Sequence, residues 1–506
     1  MKTIDSPVIA ILKNEIRIEK SNANAIYVQI AHQIIQLIQR GYLEAGSALP
    51  GTRIIAATIG IHRKTAVAVY EELAAQGWVN SIPNKGTFIV TPENNTKIKA
   101  IHQKNQNEIK PKKTGFPFDA SFNLAPIETL IETEFIANDG QPDIRLHPVS
   151  QFSRWYGAAM KRKSMVSKWQ QSGNAPTQFE HQLCNFLNAS RGFAIQPKNS
   201  LSTRSSEMSL YLIAQLLIRP KDVVLVGNLG NYAANMVFQQ VGATIKTLPI
   251  DANGIQLNAI EELAKKNNIR CVYLNSNRHY PTTISFSAER RLELLALAKK
   301  IRFAIIEDDF DYDFQFDGPP VLPMARSDND GLIIYLGKLG QSLFPSFQIG
   351  FMIAPVYFIL EAKNYLQMVD SKGDLIQEQV LAALIHEGEI HRLLKKNTLV
   401  YKKRRDVMFL ALKEHFSDAI AIEKPSGGLA LWIKFITPIS LVKLAEATKK
   451  LGLFLPKTLL FQDKSNCAIR LGFGHWNEEE IEMVVEKLKM GYLEVLYKSR
   501  KIEKSR

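Results

Sequence analysis

The chain has 506 residues, of which 46% are apolar and 22% charged, a globular composition that excludes a disordered or low-complexity protein and leaves room for two or more domains. The formal net charge is +14, and residues 1–115 carry 15 Lys or Arg against 8 Asp or Glu, so about a quarter of the chain holds half of the excess. That balance favours a polyanionic partner, although lysines kept only for solubility would give the same charge. Cys184, Cys271 and Cys467 stand far apart, which argues against a disulfide framework or a zinc cluster, and the ten histidines form no spaced ligand set, so no metal is expected. The opening MKTIDSPVIAILKNEIRIEK is too polar for a signal peptide, and no apolar run approaches the ~20 residues that cross a bilayer. A cytoplasmic protein without membrane contact is expected.

A helical pattern runs from Ile26 to Arg40, with Ile30, Ile34, Leu37 and Ile38 on one side. Gly41, Gly46, Pro50 and Gly51 punctuate the next stretch. Thr52 is a candidate cap for the short helix RIIAATIG, which Gly60 ends. A second helix comes after His62, RKTAVAVYEELAAQG, with Ala66, Tyr70, Leu73 and Ala74 facing inward and Gly77 as its stop. Trp78 and Val79 begin a strand, Pro83 to Gly86 turn, and Thr87 to Val90 return. From Thr91 to Gly115 the periodicity is lost in a lysine-rich polar stretch, expected to be a linker whose lysines either brush phosphates or are simply solvated.

Beyond Phe116 strands and helices alternate. The clearest strands are 222–227, 269–275, 302–308 and 331–337, and SAERRLELLALAKK is a helix between two of them. Short repeated strand–helix cycles predict a mainly parallel sheet covered by helices. Residues from about 375 mix helices with strands at 427–435 and 467–473, a smaller α+β lobe. The expected organisation is a first domain over 1–90, a basic linker over 91–115, a large α/β domain over 116–374 and a small domain over 375–506.

Helix, turn, helix and a glycine-tipped hairpin, in that order, make a winged helix-turn-helix, whose second helix enters the major groove with its first residues nearest the DNA. Those residues are His62, Arg63, Lys64 and Thr65, at a helix N-terminus where free N–H groups already favour phosphate. Arg53 is placed for a backbone phosphate; Lys85 and Gly86 form the wing tip. A surface helix with ordinary charges would explain the cations but not this order of elements.

The run GYLEAGSALPGTRIIAATIGIHRKTAVAVYEELAAQGWVNSIPNKGTFIV resembles the winged helix of GntR-type bacterial repressors. The resemblance implies operator contacts by Arg53, Arg63, Lys64, Thr65 and Gly86 and a homodimer on paired half-sites of double-stranded DNA. From about Phe135 onward the chain resembles a fold-type I, pyridoxal-phosphate-dependent aminotransferase. The motifs are NDGQPDIRLHP, STRSSEMSLYLIAQLLI, HYPTTISFSAERRLELLALA, IIEDDFDYDF, LGKLGQSLFPSFQIGF, YKKRRD and AIRLGFGHWNEEEI, in the family's order. The two halves together are similar to the MocR (GabR/PdxR-like) regulators, which implies an α/β fold with an N-terminal winged helix.

Pyridoxal phosphate needs a lysine amine, a carboxylate for the ring nitrogen and a cup of phosphate donors. By the resemblance, Gln341 stands where the Schiff-base lysine belongs, and an amide cannot replace an amine as nucleophile. Gln348 stands where an arginine would hold the phosphate, and Phe310 where a tyrosine would meet the ring oxygen. Asn231 replaces an aromatic; Arg278 falls where histidine or asparagine is common; Ser205, Ser206 and Glu207 occupy the phosphate-binding turn, and a glutamate there opposes a phosphate. Asp308 matches the ring-nitrogen carboxylate and Arg470 the arginine for a substrate carboxylate. Lys338, three residues before Gln341, would put a cation near the phosphate site, with Arg204 and Arg278 as candidate companions for an anion or, less directly, an amine for an aldehyde. In EDDFDYDF the other acids, Glu307, Asp309, Asp311 and Asp313, are expected to solvate a loop, pair with basic groups or meet helix ends rather than to bind metal.

Three readings remain open on the sequence. One is a DNA-binding regulator with no covalently bound cofactor, which either senses a small anionic effector, noncovalent pyridoxal phosphate included, or senses nothing. Another is an aminotransferase carrying a DNA-binding domain, against which Gln341 argues. The last is a scaffold on DNA without any ligand.

Overall fold

The computed structural model describes residues 7–19, 24–82, 85–90, 116–117, 133–147, 149–161, 177–340, 347, 349–371, 373–463 and 465–503. The expected linker, Pro83 and Asn84 of the wing turn, Gln341 and Gln348 lie outside them. The chain divides into two units, Met1–Ala120 and Ser121–Arg506.

In the first unit four helices, α1 (Pro7–Glu15), α2 (Ile26–Gln39), α3 (Thr52–Ile59) and α4 (Arg63–Ala75), and three strands, β1 (Ala48–Leu49), β2 (Val79–Ile82) and β3 (Gly86–Ile89), close around one core. The strands form an antiparallel sheet in the order β1-β3-β2. Ile30, Ala31, Ile34, Leu37 and Ile38 recur at helical spacing on α2 and meet Ile55, Ala56, Ala66, Val69 and Leu73. Three expectations need correction. Gly51, not Thr52, is the N-cap of α3: its carbonyl accepts from Ile54 and Ile55, so Thr52 already lies inside the helix. Ala74 is exposed, and Val69 completes the buried stripe of α4 instead. Helix α1 was not foreseen; its buried Leu12, with Ile16 just beyond it, joins the core.

The second unit is built on a seven-stranded sheet. Its strands run, edge to edge, Ser200–Thr203, Ile349–Ile353, Ile333–Leu339, Ala304–Asp309, Ile269–Leu274, Val223–Gly227 and Thr244–Leu248. The last five are mutually parallel, and the first two pair antiparallel. The mainly parallel sheet therefore forms from long Val/Ile/Leu runs buried on both faces, with helices covering them. Ser287 caps the helix Ala288–Ile301, one residue from the expected start. A separate four-stranded antiparallel sheet, Ile420–Ile422, Ala430–Phe435, Cys467–Gly472 and Leu460–Gln462, packs on the helices Glu389–Phe416 and Glu478–Glu503.

Candidate functional site

In the first unit the turn between α3 and α4 is set by Gly60, whose φ of 72° and ψ of 37° are left-handed, a conformation that costs a residue with a Cβ. His62 then caps α4: its Nδ1 accepts from the Lys64 N–H at 3.3 Å, a role in local structure that the sequence did not suggest. Arg53, His62, Arg63 and Lys64 are exposed, and Thr65 is half-buried. Tyr70 ties α4 to the loop before α3 by donating to the Pro50 carbonyl. On the hairpin, Ser81 and Thr87 pair across β2 and β3, and exposed Lys85 and Gly86 begin the return strand, Gly86 at a φ of 118°. Among the described residues none of Arg53, Arg63, Lys64 and Lys85 makes an ion pair. Unpaired cations flanking the free N–H groups of a capped helix suit a polyanion and little else.

In the second unit the parallel strands end in a group of polar side chains, the usual place for a ligand in such sheets. Asp308 is buried there. Its Oδ2 accepts from the Tyr273 hydroxyl at 2.5 Å, and Asn275 donates to its carbonyl at 2.7 Å, but Oδ1 is buried with no partner. Burial pushes its carboxyl up to about 6; Glu207 and Asp311 push the same way, while the Tyr273 hydrogen bond and Lys338 oppose. Tyr273 and Asn275 were missed by the sequence reading, since nothing local marks a strand residue that answers an acid 35 positions away.

Ser205 is the N-cap of the helix Ser206–Leu217 and accepts from Met208 N; Glu207 is exposed in the first turn. Asn231 is likewise a cap, for Tyr232–Gln240, its Oδ1 accepting from Ala233 and Ala234. The two arginines expected to help Lys338 hold an anion are committed elsewhere. Arg204 pairs with Asp370 at 2.5 Å and donates to the Gly373 carbonyl. Arg278 is buried against Asp311, at 3.1 Å, and Gln315. The Lys338 side chain makes no hydrogen bond or ion pair among the described residues. Arg470 is buried with Nε donating to the Asp139 carbonyl and another nitrogen to Pro281, each at 2.9 Å. Its guanidinium lies 4.8 Å from the Tyr280 ring centre and 5.8 Å from that of Phe310.

Of the other acids of the run, Asp311 and Asp313 pair with basic groups, Arg278 and Arg191, one of the expected alternatives, while Glu307 and Asp309 lie on a strand rather than in a loop. Glu307 accepts from Ser276 and from the Met324 and Ala325 N–H groups; Asp309 accepts from Tyr335 at 2.8 Å; Asp313 lies 3.4 Å from buried Arg191. Glu307 and Asp309 are sunk because the strand carrying them, with Asp308, is central in its sheet. Among the described residues no group of three or more His, Cys, Asp or Glu could hold a metal ion.

Residues 26–89 match the family model of bacterial regulatory proteins of the gntR family, and residues 149–488 that of aminotransferase class I and II. The chain is similar to the probable rhizopine catabolism regulatory protein MocR of Rhizobium meliloti, 25% identical over 80% of this chain and 81% of the relative. It is 24% identical to the HTH-type transcriptional regulator TauR of Rhodobacter capsulatus, over 86% and 90% of the two chains. Among solved structures it is similar to an archaeal alanine:glyoxylate aminotransferase, at 25% identity and a TM-score of 0.66, covering 72% of this chain and 91% of that one. A multiple substrate aminotransferase from Thermococcus profundus, at 22% identity, has the same TM-score over 72% and 92% of the two chains. A pyridoxal ring nitrogen would find the partnerless Oδ1 of Asp308. By the family resemblance the attachment lysine would stand at position 341, which is glutamine.

Proposed function

The chain belongs to the aminotransferase class I and II family and joins to that fold a GntR/MocR-type helix-turn-helix, and on this basis we propose that it is a DNA-binding transcription regulator whose aminotransferase-like unit does not transaminate. The observation that carries the reading is the exposed set Arg53, Arg63, Lys64 and Lys85, without an ion pair among the described residues, around the capped start of α4 and the glycine-tipped wing. Arg63, Lys64 and Thr65 read base edges, with His62 as the cap that aims them; Arg53, Lys85 and Gly86 meet the backbone. Residues 1–90 are the DNA-binding domain, 91–115 a basic linker, 116–374 and 375–506 the large and small parts of the second unit. The protein works as a homodimer on paired half-sites in the cytoplasm, with a small anionic effector as the candidate signal; among the described residues no helix is long and apolar enough to cross a membrane.

The test begins with the full chain and fragmented genomic DNA. Retained fragments are sequenced, and one is titrated by fluorescence anisotropy against the wild type, Arg63→Ala and Lys64→Ala. Each substitution should weaken binding by about 1 kcal/mol or more while the circular dichroism of the larger unit is unchanged. Unaltered affinity in both would remove the assignment of α4 as the reading helix. A parallel amino-group transfer assay should give no oxo-acid product; steady turnover would sink the loss of catalysis, because loss of the lysine cannot be made up by the remaining groups.

A further inference from the structure

Helix α4 buries Ala66, Val69, Tyr70 and Leu73, which at about 3.6 residues per turn lie along one face. Its solvent side starts with exposed Lys64, continues through half-buried Val67 and Ala68 and reaches exposed Glu71. The start of the helix is fixed in place. His62 caps it, and left-handed Gly60 sets the turn that joins it to α3. The first two turns therefore present, in order, a cation, two apolar side chains and an acid.

Each of these can meet a different part of a duplex. Lys64 and Arg63 donate, which suits the O6 and N7 acceptors of guanine. Val67 and Ala68 neither donate nor accept, so they form no hydrogen bond with a base edge or a phosphate. The apolar feature that a base shows in the major groove is the 5-methyl group of thymine. Glu71 accepts only, and its charge is repelled by phosphates, which bounds the apolar stretch on its far side. Packing does not use the two side chains: Ala66 and Val69, their neighbours in the chain, belong to the core of the first unit, and Val67 and Ala68 do not. Single apolar side chains on a surface are ordinary. These two stand side by side on the solvent side of the helix whose start carries the free cations.

We propose that Val67 and Ala68 select thymine by contact with its 5-methyl group, within about two base pairs of the guanine met by Arg63 or Lys64. This rests on the reading of α4 as the helix that enters the major groove. The spacing comes from geometry: four residues of helix rise about 6 Å, and successive base pairs lie about 3.4 Å apart. A cytosine in place of that thymine offers no methyl group and brings an amino donor against an apolar surface that cannot accept it.

Fluorescence anisotropy with the full chain tests this on a duplex made from a genomic fragment that the chain retains. Each thymine is replaced in turn by uracil, which removes the 5-methyl group and leaves base pairing unchanged. At a thymine within about two base pairs of a G·C pair, uracil should weaken binding about threefold for each half-site changed. The double variant Val67→Ser, Ala68→Ser should bind the thymine and uracil duplexes alike. Val67→Ile, which keeps the apolar contact, should keep the difference. Each comparison sets two duplexes against one protein, so a partly unfolded variant cannot mimic the result. The proposal fails if uracil is tolerated at every thymine, or if its penalty persists in the double serine variant. Arg63→Ala should weaken binding to both duplexes and so reports separately on α4 as the reading helix. Retention of no DNA at all would overturn both.

Discussion

Asp308 shows what burying one acid costs a fold. Its carboxyl is pushed up to about 6, burial being the largest cause. In the unfolded chain the same acid ionises near its ordinary value, so between that value and 6 the unfolded state gains charge that the folded state resists. Stability contributed by this residue therefore falls as pH rises through that window, and the penalty is complete above it. Asp308→Asn keeps an acceptor for Tyr273 and removes the charge. It should stabilise the protein more at pH 7.5 than at pH 5, by about 1 kcal/mol, in denaturant titrations. An equal effect at both pH values would show that Asp308 is not raised. The sequence identified Asp308 as a ring-nitrogen carboxylate by resemblance, but not Tyr273 or Asn275, because those contacts are made across neighbouring strands. The same blindness explains Arg204 and Arg278: as types they suit an anion, and only Asp370 and Asp311, distant in sequence, decide that they serve structure instead.

Among elements, α1 was the least legible. PVIAILKNE carries apolar residues at helical spacing, yet it lies outside the 26–89 match and its role depends on a surface supplied by other helices. Leu12 is fully buried in the core of the first unit. Beyond it, Gln33 brackets Arg17 with two bonds of 2.8 Å, its amide nitrogen donating to the Arg17 carbonyl and its oxygen accepting the Arg17 N–H; Gln29 does the same for Glu19. This segment is fastened to α2 as a strand is to its neighbour. Leu12→Ala should cost about 2–5 kcal/mol and loosen the amides of α2 and α3 in hydrogen exchange, leaving those of the larger unit unchanged. Protection unaltered throughout the first unit would mean that α1 contributes nothing to its stability. The α3–α4 turn was far more legible, since Gly60 and His62 act through neighbours in the chain.

For the whole molecule, charge sets the interaction with DNA. The basic quarter of the chain predicts a binding constant that falls steeply with salt, by at least about tenfold between 50 and 200 mM, as phosphate neutralisation releases counterions. Lys85→Ala should lower the slope of log K against log salt by about one and weaken all sequences alike, whereas Arg63→Ala should also blur the choice among sequences. A slope untouched by Lys85→Ala would take the wing away from the phosphate backbone. The second unit is built on a parallel sheet of buried Val, Ile and Leu runs, and the proposed part for it in DNA binding is the pairing of two chains.

The winged helix and the parallel sheet were legible in the order of residues, and so was the glutamine at 341 that motivates the proposed loss of catalysis. Each is written locally: in the spacing of apolar residues, in glycines such as Gly60 and Gly86 that must take positive φ, and in the identity of a single side chain. Which charges are spent and which are free was settled only by folding. Arg204, Arg278 and Lys338 look alike in sequence, but two of them form ion pairs with carboxylates brought from elsewhere in the chain, and the third forms none among the described residues. Ion pairing depends on distance in space, and only the fold fixes that distance.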